Sequence, residues 1–452
     1  MLTKLTSTPR GRMRPRIASR PIAVGGALAI LLAGVTVGLG AAGRGGPAQS
    51  AAAQPAVAPA TDQLDVSIAK AQQELRRVPG DYATWAELGS AYVENARITA
   101  DPSWYPKAEG ALRTSLRIQP ASGNATALTG MGALANARHD FAGAAGWARQ
   151  ALAVDPYQSG AYGVLTDALT QLGDPAGATA AVQHMLDLAP GLSALTRASY
   201  DLEQHGRLAD AQTLMAQAMR DATDPSDVAF CRFQLGELAW QDGRLDDAEA
   251  QYAAGLAADP IYLPLREGQA KMAAARGQTA QALTEYAQLT QRYPSPTYIL
   301  EYAELLQAAG QHAQARAQLA LADAAQQLFA ANGGVDDLTG SAIALAEGHP
   351  ADAVAAAQRE WQRRHFADVA DQLAWALHAA GRDAEALGYA RQADSLGARN
   401  AKYSFHLGTI ERALGDDEAA HADLTRALAI NPDFDPIDGP VLRGTVVRRG
   451  AS

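Results

Sequence analysis

A glycine followed five residues later by an alanine recurs at Gly173/Ala178, Gly206/Ala211, Gly243/Ala248, Gly277/Ala282, Gly310/Ala315, Gly348/Ala353, Gly381/Ala386 and Gly415/Ala420. Successive glycines stand 33, 37, 34, 33, 38, 33 and 34 residues apart. A period near 34 with small residues at a fixed phase marks helical hairpins that bury their apolar faces against one another in a row. Such a chain grows by adding units and needs no central core, so its 452 residues predict one extended array instead of several globular domains. Composition agrees. With 48% apolar but only 6% aromatic residues, the chain suits helices that approach closely on small side chains, and nothing in it predicts a sheet.

Within one period the residues have defined tasks. At Trp85, Leu88, Gly89 and Tyr92 the chain reads W-x2-L-G-x2-Y, followed by Ala108, Leu112 and Pro120. Leu235, Gly236, Gly243, Ala248, Tyr252 and Pro260 repeat the order, as do Leu407, Gly408, Gly415, Ala420, Leu424 and Pro432. This resembles the tetratricopeptide repeat. Small residues such as Gly236 and Ala248 belong where two helices cross, and the turn glycine suits a left-handed residue closing the first helix. Pro120, Pro156, Pro190, Pro260, Pro294 and Pro432 stop the second helix. Tyr252 and Tyr286 are expected to fill the groove against the next unit.

The resemblance implies an all-α, right-handed superhelical solenoid of about ten hairpins over residues 82–432. Units are expected to start near Tyr82, Ala125, Ser159, Leu192, Ala229, Leu263, Pro296, Gly334, Ala367 and Ala401. A leading helix within 62–81 covers the first hairpin, and residues 433–452 form a Pro-, Asp- and Arg-containing tail with no predicted capping helix. Unit one departs from the pattern. Gly89 and Ala108 are 19 residues apart where Gly236 and Ala248 are 12 apart, so an insertion around Asp101, Pro102, Ser103 and Trp104 predicts a lengthened turn or a ligand-contacting loop.

Ahead of the array lies a basic leader, residues 1–21, and then an uncharged apolar segment, 22–43, reading IAVGGALAILLAGVTVGLGAAG. Positive charge before such a run predicts export of the chain beyond it, with 22–43 kept as a transmembrane anchor as the first expectation and removed as a signal as the second; a disordered cytoplasmic tail is the third. In the first two cases the array would be extracytoplasmic, membrane-anchored or secreted. Residues 44–61 are an Ala/Pro-rich linker. Gly34 and Gly38 form a GxxxG pair compatible with self-association of the helix.

Seven cations and no acid precede residue 45, so the formal charge of −10 leaves −17 on the remainder. An acidic array repels nucleic acid, and a partner chosen by charge is neutral or basic. Cys231 is alone, which excludes an intramolecular disulfide and a paired-cysteine metal site. The nine histidines are scattered without a metal or catalytic spacing, and no phosphate loop or G-x-S-x-G is present. No catalysis, metal or cofactor is expected.

The tetratricopeptide resemblance implies binding in a concave groove lined by first helices, to an extended peptide or helix of another protein. Carried over by position, the groove residues are Tyr200, Phe230, Phe233, Glu237, Trp240, Lys271, Trp375, His378, Phe405 and Arg412. The lysine/asparagine clamp for a terminal carboxylate is absent, since Ala86, Ser90, Thr129 and Ala133 occupy the matching positions. The expected function is a non-catalytic protein-binding scaffold at the cell envelope. The alternative is an accessory component of an envelope polysaccharide synthesis or export system.

Overall fold

A computed structural model describes residues 60–449. Among them every regular element is helical. A leading helix, α1 (Ala60–Arg77), precedes ten hairpins: α2 (Tyr82–Thr99) with α3 (Trp104–Ile118), α4 (Ala125–Ala137) with α5 (Phe141–Val154), α6 (Ser159–Leu172) with α7 (Pro175–Leu188), α8 (Leu192–Gln204) with α9 (Leu208–Asp221), and α10 (Pro225–Gln241) with α11 (Leu245–Ala258). Units six to ten are α12 (Leu263–Ala275) with α13 (Thr279–Arg292), α14 (Pro296–Ala308) with α15 (His312–Ala331), α16 (Asp337–Ala346) with α17 (Pro350–Arg363), α18 (Ala367–Ala379) with α19 (Asp383–Ala393), and α20 (Ala401–Leu414) with α21 (Asp417–Ile430).

Each crossing is made by small residues against one large one. A Cβ on Gly236 would lie 2.2 Å from the Tyr252 ring, and one on Gly268 would lie 2.8 Å from it, so the buried tyrosine of α11 fills a notch cut by glycines on α10 and α12. Acidic caps start three of the ten second helices: Asp140, Asp174 and Asp416 accept from the backbone N–H three residues on. All eight repeat glycines from Gly173 to Gly415 have positive φ, between 69° and 88°, and close the first helices as their spacing predicts.

Two unit starts differ from the sequence reading. Helix α10 begins at Pro225, where Asp224 supplies a cap, and α16 at Asp337 behind the cap Asp336. In unit one the extra residues mostly lengthen α2, which runs 18 residues to Thr99 before a left-handed Ala100. Trp104 then stacks on Tyr92 with ring centroids 5.5 Å apart, within the packing of unit one. The tail also differs, because residues 438–449 form a helix, α22 (Asp438–Arg449). Its Leu442 is fully buried in the cluster that holds the last units. The apolar segment 22–43, the leader and most of the linker lie outside the described residues. No helix among the described residues is long and apolar enough to cross a membrane.

The array winds until it touches itself: in each of units one to five, the turn meets the loop that closes the fifth unit after it. In unit one the Arg97 carbonyl accepts from the Tyr293 hydroxyl at 2.9 Å. In unit two Arg138 Nε donates to the Asn332 carbonyl at 3.0 Å and the Val335 N–H donates to the Arg138 carbonyl. In unit three Arg364 reaches Gln171, and the His365 N–H donates to the Leu172 carbonyl. Gly206 of unit four lies under the Gly397 carbonyl. In unit five Asn431 Nδ2 donates to the Trp240 carbonyl at 2.7 Å, and Arg399 pairs with Asp242 at 3.0 Å. Successive superhelical turns are thereby seamed together across sequence separations of 157 to 196 residues.

Candidate functional site

Winding leaves a chamber of about 500 Å³ on the inner wall, bounded by the first helices of units four to ten and by the segment from Asn431 to Arg443. Its lining keeps to helical register. Residues six before the turn glycine, Tyr200, Glu237, Lys271, Glu304 and Ala342, face it on five successive first helices. Gln234, Glu301, Thr339 and Gln372, nine before the turn glycine, lie one helical turn away on the same face. Eight carboxyl side chains and four cations line the chamber.

The polar wall is largely paired with itself. Lys271 Nζ sits 2.7 and 2.8 Å from the Glu237 oxygens and 3.3 Å from Glu267, while the Tyr252 hydroxyl donates to Glu237 at 2.6 Å. Burial pulls the Lys271 ammonium down, but Glu237 and Glu267 together hold it above its ordinary value. The Gln241 amide donates to Glu203 at 2.6 Å. His406 Nδ1 lies 2.9 Å from Asp371, fully buried, and burial keeps its imidazole below the usual histidine value. Tyr403 donates to Asp368, whose carboxyl is raised first by burial.

Burial dominates the acids. It pushes the Glu203 carboxyl up to about 7 and Asp435 up to about 6. Glu301 and Glu304 are held well above the ordinary carboxylate range, by burial first and neighbouring carboxylates second. Glu304 is 0% exposed, and no protein group hydrogen-bonds either of its oxygens.

Of the residues expected in the groove, Tyr200, Glu237, Trp240 and Lys271 line the chamber. Others do not. Phe230 packs on the cluster around Leu195 and Met215, and Phe233 is 8% exposed beside Tyr252. Trp375 is stacked on His378 and His406, with centroids 5.0 and 3.9 Å away, and Phe405 meets Phe434 at 5.5 Å. These two rings are buried because the segment leading into α22 covers the last units. His378 pairs with Asp383 at 2.5 Å, and Arg412 stands on α20 outside the chamber lining. Glu301, Glu304, Asp368, Asp371, Tyr403 and Asp435 line the chamber without a sequence motif that marks them, although Glu304 shares the register of Glu237 and Lys271. Among the described residues no group of His, Cys, Asp or Glu is placed to hold a metal ion.

No protein-family model and no curated protein matches the chain. Among solved structures it is similar to a tetratricopeptide repeat protein from Parabacteroides merdae ATCC 43184, at 17% identity over 56% of this chain and 97% of that one, with a TM-score of 0.34. It is similar also to yeast Tom70, at 12% identity over 81% and 87% of the two chains, with a TM-score of 0.41. The human IFIT1 dimer with m7Gppp-AAAA gives 14% identity over 74% and 77%, and a TM-score of 0.46.

Proposed function

We propose that this protein is a non-catalytic scaffold of the cell envelope that holds an extended peptide or a helix of a partner protein inside its superhelical lumen. The chamber carries the reading. Its volume of about 500 Å³ falls within the roughly 300–1,000 Å³ of small-ligand sites, room for the side chains of a bound segment. Seven successive first helices supply its wall, so a threaded segment meets a new side chain at every unit. Trp240, Tyr286 and Tyr403 give apolar contact between the charged groups. The envelope placement rests on the sequence of residues 1–61 alone. The same aromatic rings support the second reading, contact with an envelope polysaccharide.

The test places a photocrosslinking amino acid at Ala274, on the chamber wall, or at the exposed Gln150, on α5, in intact cells. Specific protein adducts from position 274 and none from 150 are expected. Glycan adducts at 274 would favour the second reading, and adducts from 150 alone would remove the lumen as the binding face.

A further inference from the structure

We propose that Glu304 is the docking point for a cationic side chain, the lysine or arginine of a segment bound in the lumen. The inference rests on the lumen reading above and goes beyond it by naming the chemistry of the occupant. The wall itself contains the interaction once. Six residues before the turn glycine, Glu237 of unit five faces Lys271 of unit six, and carboxylate and ammonium meet at 2.7 and 2.8 Å. The same register puts Glu304 in unit seven and Ala342 in unit eight, so the chain supplies a carboxyl group and then a methyl where the ammonium would stand. Ala342 and Glu304 both line the chamber.

Glu304 is fully buried and no other protein group hydrogen-bonds either of its oxygens, so the chain itself leaves this buried carboxyl without the partner that burial of a polar group calls for. Its charged surroundings do not make up for that. Glu301 on α14, Asp435 in the segment before α22 and Asp438 on α22 all raise its affinity for a proton, against the opposing Lys402 ammonium on α20. A cation that enters takes the place of the proton, which leaves to solvent. It finds a desolvated carboxylate whose strongest available interaction is a charge-assisted hydrogen bond. Affinity should therefore fall as pH is lowered.

The experiment uses full-length protein in mild detergent. The probes are fluorescent hexapeptide pools with randomised flanks and a central residue fixed as Lys, Arg, norleucine or Glu, and binding is read by anisotropy. The Lys and Arg pools should bind at least about tenfold tighter than norleucine. Glu304→Gln should erase that preference while melting no lower than wild type, because the group removed had no partner within the chain. A control, Ala274→Trp, should block the lumen. Binding that Ala274→Trp abolishes but that ignores the central residue, or keeps its preference in Glu304→Gln, overturns Glu304 as the docking point of a cation and leaves the lumen reading standing. Binding insensitive to Ala274→Trp, or none by any pool, overturns both. Glu304-dependent binding of spermidine without that of the Lys or Arg pools overturns the peptide as the source of the cation.

Discussion

Arg364 is a charged side chain serving architecture. It is 1% exposed, and it holds the equally buried Glu360 on its own helical segment and Gln171 on the neighbouring superhelical turn. Arg364→Ala removes one of the two arginines on that carboxylate, which keeps Arg363 and the Asp337 N–H, and takes away the partner of the buried Gln171 oxygen, so a loss of about 1–3 kcal/mol in chemical denaturation is expected. A loss within error would contradict the pairing. The raised acids set a pH dependence of definite sign. Glu203 and Glu267, ordinarily 4.5, are held up to about 7, and Asp435 up to about 6, so the folded chain keeps protons that the unfolded chain releases. Their cost is absent below the unfolded values and grows as pH climbs to the folded ones, so stability falls from about pH 4.5 to about pH 7. Calorimetry should give a higher melting temperature at pH 5.5 than at pH 8, with a smaller difference in Glu203→Gln. Carboxylates held low by ion pairs, such as Glu109 beside Arg138, withdraw their support only in more acid solution. At this scale the sequence was partly legible. Glu237, Lys271 and Glu304 share one register, but which charges of that register a closed lumen buries depends on the winding, which has no local signal. Trp375 and Phe405 read as open because the residues that cover them, Phe434 and Leu442, lie past the end of the last repeat unit.

The helices are the most legible level, because the hairpin repeats the same punctuation every 34 residues or so. Eight of ten unit starts coincide with the sequence reading, and the exceptions are the two longer intervals, where Asp224 and Asp336 cap at positions that no fixed period identifies. The turn glycines have a second task in the early units. A Cβ on Gly173, Gly206 or Gly243 would stand 2.6, 2.2 or 2.6 Å from a backbone carbonyl of the next superhelical turn, while Gly277, Gly310, Gly348, Gly381 and Gly415 face nothing within 4 Å. Both Gly206 and Gly277 are left-handed, at φ 70° and 72°. Gly277→Ala should thus cost only the conformational penalty of about 1–2 kcal/mol. Gly206→Ala should cost more, since its methyl must displace the backbone at Gly397. Equal losses in paired thermal melts would argue against the seam. A period finds the turns, but it says nothing of what lies over them.

The whole molecule is the least legible scale. Neither the pitch of the superhelix nor its contact with itself has a local signal, because both arise from small rotations summed over five units. Closure makes the chamber: without the seam, units four to ten would present an open groove, and the tail would not lie across it. Interturn contacts such as Asp242 with Arg399 are partly exposed and individually weak, so changing one should leave the winding intact. That permits a direct measurement. Spin labels on Asp242→Cys and Arg399→Cys, placed 157 residues apart in sequence, are read by double electron–electron resonance, and the buried Cys231 stays unlabelled. A single short distance between neighbouring labels is expected for an array wound onto itself, whereas a long or broad distribution would contradict closure and, with it, the chamber.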